Sequence, residues 1–171
     1  MRRNTSLRFF IFNSQHMPLI EIKTVIEADI KTCFDLSRDI DFHTRSLEDS
    51  KERAVAGKIS GLIELNEWVT WEAFHFGIKQ RLTSKITAFD SPNYFVDEMV
   101  SGVFKSFKHE HIFTSEGHTT IMVDKFHFAS PFGILGLLAN RLFLKRYMTR
   151  LLKQRNYHLK QEAESKTKAL T

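Results

Sequence analysis

Residues 130–160 constrain this chain most, because they read as one long, breaker-free helix closing a chain otherwise rich in strands. Ser130 followed by Pro131 is a helix entry, since a serine caps free amides and a first-turn proline gives up no hydrogen bond. At about 100° per residue, Leu137, Leu144, Met148 and Leu151 fall on one stripe with Tyr147, Leu152 and Leu159 at its margins. Arg146, Arg150, Lys153 and Lys160 lie opposite. Before Leu144 the helix is apolar nearly all round, through Ile134, Leu135, Leu138, Leu142 and Phe143, which predicts burial on several sides. Two arginines break the pattern: Arg155 sits on the stripe and Arg141 beside it. Either each carries its head to water or to an acidic partner, or one points into a cavity and meets a polar head group or carboxylate.

Upstream, residues 19–27 alternate, with Ile20, Ile22, Thr24 and Ile26 on one face, and predict a half-buried first strand. Asp29 and Asp39 are N-cap signals for two short helices. Two helices in place of a hairpin leave the first strand at an edge until the chain returns to it. From Lys51 the pattern turns to strands, punctuated by Gly57 and Gly61. Residues 67–77 place Val69, Trp71, Ala73 and His75 on one face, and Trp68, Phe74 and Phe76 on the other. Further strands are expected at 81–90, 94–103, 104–113 and 119–128, with turns at Ser91-Pro92-Asn93 and Glu116-Gly117. Six or seven strands, two early short helices and one long late helix make a strand-rich α+β domain.

At 171 residues the chain is most simply one domain, large enough to bury roughly 70% of its unfolded surface. Residues 1–16 are expected to be a disordered or artefactual extension, with Met17 a plausible alternative start. Residues 17–164 are expected to form the domain and residues 165–171 a flexible tail. Cys33 has no cysteine partner, which excludes an intramolecular disulfide and fits a reducing, cytoplasmic setting. No stretch approaches the ~18 consecutive apolar residues of a membrane span. The formal net charge of +5 is uneven, for residues 1–16 and the helix carry bases without acids and the intervening body is acidic. A basic helix face suits an anionic membrane or an acidic protein. No nucleic-acid partner is expected, because basic residues interleaved with aromatics are not found outside the helix.

Several stretches resemble the helix-grip fold of the START/Bet v 1-like superfamily, and in particular its bacterial ligand-binding, polyketide cyclase-like branch. They are Ile40-Asp-Phe-His43-Thr-Arg-Ser46, Glu52-Arg-Ala-Val-Ala-Gly57, Val69-Thr-Trp71-Glu-Ala-Phe-His75-Phe-Gly77, Gly102-Val-Phe-Lys-Ser-Phe-Lys-His109-Glu-His111-Ile-Phe113 and residues 124–133. The resemblance implies a curved antiparallel sheet wrapped around the terminal helix, with a cavity between them. The 16 phenylalanines are numerous enough to plug much of such a cavity.

If the strands pair as that fold implies, His75, His109 and His111 share a cavity-facing surface, while Glu72 falls on the opposite strand face from His75. Two histidines at i and i+2 bind zinc only when a third ligand converges. No cysteine or helical His pair supplies one in the sequence, so neither a metal nor another cofactor is expected. Asp124 lies among Met122, Phe126 and Phe128 and needs a partner, which Arg141, Arg155 or a histidine can provide. The expected ligand-binding residues are Trp71, His75, Phe107, His109, His111, Asp124, Phe126, Leu144, Met148, Leu151 and Arg155. Three functions are compatible with them. One is binding of a small hydrophobic molecule, lipid or polyketide-like. The second is a cyclase or dehydratase that uses pocket His and Asp residues. The third is an interaction module working through the basic helix.

Overall fold

The computed structural model describes residues 18–47, 51–75, 77–129 and 143–169. In chain order the elements are β1 (Leu19–Ile26), α1 (Ile30–Ser37), α2 (Ile40–Ser46), β2 (Arg53–Gly57), β3 (Trp68–His75), β4 (Ile78–Asp90), β5 (Tyr94–Ser101), β6 (Ser106–Glu116), β7 (Thr119–Ala129) and α3 (Lys145–Ala169). The strands form one seven-stranded antiparallel sheet in the order β1-β7-β6-β5-β4-β3-β2. This is the helix-grip architecture expected from the element order.

Each early element has a local cause. The Asp29 carboxylate accepts from the amide of Thr32, and that of Asp39 accepts from the amides of Asp41 and Phe42, so both short helices start where their caps stand. Strict alternation in β6 and β7 turns Phe107, His109, His111 and Phe113, and then Met122, Asp124, Phe126 and Phe128, to the buried face. Gly57 ends β2 at φ 75°, and a Cβ there would fall on the Trp68 carbonyl and ring. Only glycine permits that approach.

Packing is organised in two clusters. One lies under α1, where the ring of Phe34 meets those of Phe89, Phe95 and Phe113 edge-on at 5.4–5.5 Å. The other joins Phe104, Phe107, Phe126 and Phe128 to Leu152 of α3. On β3 the inward Val69, Trp71 and Ala73 are buried, whereas Trp68 and Phe74 stay about half exposed on the outer face. Cys33 is fully buried, and burial pushes its thiol up to about 11, as packing rather than reactivity requires.

The terminal helix extends the reading of the sequence in two ways. The residues that α3 buries are Leu152, Arg155, Asn156, Leu159 and Ala163, not the stripe through Leu144, Met148 and Leu151. Those three are half-buried because they line a cavity instead of a packed core. The helix also continues past Glu164 through residues 165–169, where a flexible tail was expected. Ala163 is fully buried, Glu164 accepts from the Glu27 amide at 3.0 Å, and Lys166 pairs with Glu162 one turn back. The expectations for residues 1–16, for the Ser130-Pro131 entry and for Leu137 and Arg141 lie outside the described residues.

Candidate functional site

A cavity of about 560 Å³ lies between the inner face of the sheet and α3 and borders both aromatic clusters. Ten of the residues expected at the site line it: Trp71, His75, Phe107, His109, His111 and Phe126 from the sheet, and Leu144, Met148, Leu151 and Arg155 from the helix. Asp124 does not, for it sits behind the histidines, fully buried.

Register builds the polar wall. Asp97, His109 and Phe126 stand level across β5, β6 and β7, and Phe95, His111 and Asp124 form the next row. His109 Nε2 lies 2.9 Å from Asp124 Oδ1. Burial works against the charged form, but the hydrogen bond from His109, with His111 close by, holds the Asp124 carboxyl well below its usual range, so it is an acceptor and His109 donates. Nδ1 of His111 stands 3.0 Å from the same oxygen but out of line for a hydrogen bond. Asn156 Nδ2 donates to the other oxygen at 2.6 Å, which secures Asp124 from the helix side. His111 is 2% exposed and stacked on Phe95 at 4.1 Å. Burial, reinforced by His109, pushes its pKa down to about 3, so the ring is neutral.

Arg155 settles the question left by its position on the stripe. It is buried, not snorkelling, with Nη2 donating to the Ser37 carbonyl at 2.6 Å and Nη1 4.0 Å from Asp124 Oδ1. Its Nε and Nη1 are buried without a hydrogen-bond partner among the described residues.

Three further polar residues matter that sequence reasoning did not single out. Asp97 of β5 lines the cavity with Oδ1 unpartnered and 3.8 Å from His109 Nδ1. Burial raises its pKa despite the nearby His109. Its signal was available, because Asp97 shares strand parity with Phe95 and puts a carboxylate on an apolar face. Asn156 follows Arg155 on the helix and carried no comparable signal. Glu52 accepts from His43 at 3.2 Å, and the His43 ring stacks on Trp71 at 4.3 Å. Burial would raise the Glu52 pKa, but the hydrogen bond and charge of His43 keep it below its ordinary value.

His75 belongs to this second polar group and not to the first. Its Nδ1 lies 2.7 Å from the Tyr147 hydroxyl, and burial lowers its pKa. Glu72 faces outward as alternation required, held by Arg53, Lys79 and Arg81. One nitrogen from each of His109 and His111 and a carboxylate oxygen of Asp97 lie within 4.8 Å of one another, a donor set that can hold a metal ion.

Among the described residues, no helix is long and apolar enough to cross a membrane. No protein-family profile and no curated protein matches the sequence. Solved structures do match. TTHA0849 from Thermus thermophilus is 20% identical with a TM-score of 0.65, over 83% of this chain and 97% of that one. The ginseng major latex-like protein 151 from Panax ginseng is 12% identical with a TM-score of 0.63, over 86% and 97%. The di-domain ARO/CYC StfQ of the steffimycin biosynthetic pathway is 12% identical with a TM-score of 0.72, over 88% of this chain and 52% of that one. Together with the seven-stranded sheet, the two short helices after β1 and the long terminal helix, these likenesses show that the chain has the Bet v 1-like helix-grip fold.

Proposed function

We propose that this protein binds a small, largely apolar molecule in the cavity between sheet and α3, with the polar end of the molecule against Asp97, His111 and Arg155. The observation that carries this reading is the pairing of an apolar cavity with buried polar atoms that no described residue satisfies, Asp97 Oδ1 and Arg155 Nε and Nη1. Buried groups of this kind are costly unless hydrogen-bonded, so whatever fills the cavity must meet them. A volume of about 560 Å³ falls within the roughly 300–1,000 Å³ usual for small-molecule sites. At about 24 cal/mol per Å³, a dry void of that size would cost roughly 13 kcal/mol, comparable with a domain's whole stability.

Native mass spectrometry followed by denaturing extraction tests it. An apolar compound of defined mass, released at about one per chain, is expected. A bare protein that also fails to take up any apolar dye would overturn the reading.

A second reading is favoured by the orientation of His109. Asp124 engages Nε2, which leaves Nδ1 turned toward the cavity as a base, with the Asp97 carboxyl 3.8 Å away. An oriented base beside a carboxyl of raised pKa suits proton transfer on a bound carbonyl compound, as in a cyclase or dehydratase. The fold likeness to the ARO/CYC StfQ supports the same direction. Turnover of a poly-β-keto substrate that disappears in His109→Gln but survives in Tyr147→Phe would support it; loss of activity in neither variant would remove it.

A further inference from the structure

We propose that Asp97, His109 and His111 form a binding site for a divalent first-row transition ion in the cavity wall, with Asp124 as the carboxylate that orients His109. The i and i+2 histidines of β6 lack a third ligand in the sequence. The β5 to β6 register supplies it, for Asp97 is the direct cross-strand partner of His109. Asp97 Oδ1 and His109 Nδ1 are 3.8 Å apart, a gap that one ion bridges with bonds of about 2.0–2.2 Å to each. The full set of three ligand atoms lies within 4.8 Å, so closing onto a tetrahedral edge of about 3.4 Å asks for roughly 1 Å of side-chain movement. Asp97 is free to supply it, since its Oδ1 is buried and unpartnered and its side chain retains 25% exposure.

What stands behind the histidines is what a metal site requires. Asp124 takes Nε2 of His109 and approaches Nδ1 of His111, and is fixed in turn by Asn156. A carboxylate behind a histidine sets the ring's orientation and raises its basicity as a ligand. All the ligands stand on adjacent strands of a sheet, which holds such geometry better than loops do. Two histidines and one carboxylate leave coordination positions open, as in zinc and non-haem iron(II) sites, and here the open side borders the cavity. Asp124 is offset by Arg155, 4.0 Å away, so Asp97 neutralises one charge of the ion. The remaining charge selects an anionic oxygen, such as a carboxylate or an enolate, from the molecule in the cavity.

The site is tested on full-length, chelator-treated protein without any apolar ligand, by calorimetric titration with Zn²⁺ and visible absorption with Co²⁺. One ion per chain is expected, with Co²⁺ bands of a low-coordinate nitrogen and oxygen site. Asp97→Ala and the isosteric Asp97→Asn should bind Zn²⁺ more weakly by at least the roughly 10- to 100-fold seen when outer-shell partners are lost. Asp97→Glu should recover part of that loss. Millimolar or weaker binding to the unaltered protein, or equal binding by the Asp97 variants, overturns the proposal. Dye uptake measured in the presence of chelator reports separately on the cavity, so failure of either reading is seen without the other.

Discussion

Asn156 of α3 donates a hydrogen bond of 2.6 Å to Asp124 of β7 and so ties the terminal helix to the inner sheet face. Thr24 of β1 takes a second bond from the same amide nitrogen at 3.2 Å. The helix is therefore held by a polar pin as well as by apolar packing around Leu152 and Leu159.

Removing the carboxylate should be costlier than removing the amide. Asp124→Ala strands the His109 donor and leaves Arg155 without its nearest carboxylate, for an expected loss of about 3–5 kcal/mol. Asn156→Ala deletes one bond to a charged group and should cost about 1.5–3 kcal/mol. Equilibrium unfolding in urea, with unchanged m-values, checks the order.

The outer cluster predicts an acid-dependent stability. Hydrogen bonds from Arg53 and Lys79, with help from Arg81, push the Glu72 pKa down to about 2, below its ordinary 4.5. A carboxyl depressed in the folded state stabilises fully above pH 4.5, and that contribution is lost as pH falls from 4.5 toward 2. The melting temperature of Glu72→Gln should lie below that of the parent at pH 7 and converge on it only near pH 2. Because the three bases are half exposed or more, the pH 7 difference should also shrink in 1 M salt.

Gly57 and Gly61 separate conformational cost from contact cost. Both have positive φ, 75° and 70°, but only at Gly57 would an added methyl strike backbone, the Trp68 carbonyl. Gly61→Ala should lose about 1–3 kcal/mol from the left-handed conformation alone. Gly57→Ala should lose more, because β2 must separate from β3. Paired denaturation curves give the difference.

Filling the cavity should block binding without unfolding the protein. Ala73 is buried on β3 and lines the cavity, so Ala73→Phe places a ring where a ligand's apolar body would lie. Uptake of an apolar dye should fall at least about tenfold, with loss of stability below the ~3 kcal/mol of overpacking in a solid core. Dye titration and thermal melting read the two effects independently.

Alternation made much of the sheet legible. Period-two patterns assigned Ile20 and Ile26 of β1, His109 and His111 of β6 and Asp124 of β7 to the inner face, and Asp29 and Asp39 marked both helix starts. Asp97 was overlooked although its parity matched that of Phe95, because one carboxylate in a strand acquires meaning only beside its cross-strand neighbour. The environment of the α3 stripe was open in the sequence for a related reason. Leu144, Met148 and Leu151 do form a stripe, but periodicity reports which residues share a face and not whether that face meets a core or a cavity.

Local chemistry in the sequence thus determined most of the elements, their order and the inward set of β1, β3, β6 and β7, because caps, turns and period-two alternation act between residues a few positions apart. Only the tertiary structure decided that Asp97, His109, His111, Asp124, Arg155 and Asn156 converge, and that Arg155 is buried instead of solvated. Those relations depend on the register of β5, β6 and β7 and on how α3 is seated against them. Both are set by packing over separations as long as that between Ser37 and Arg155, which no local pattern encodes.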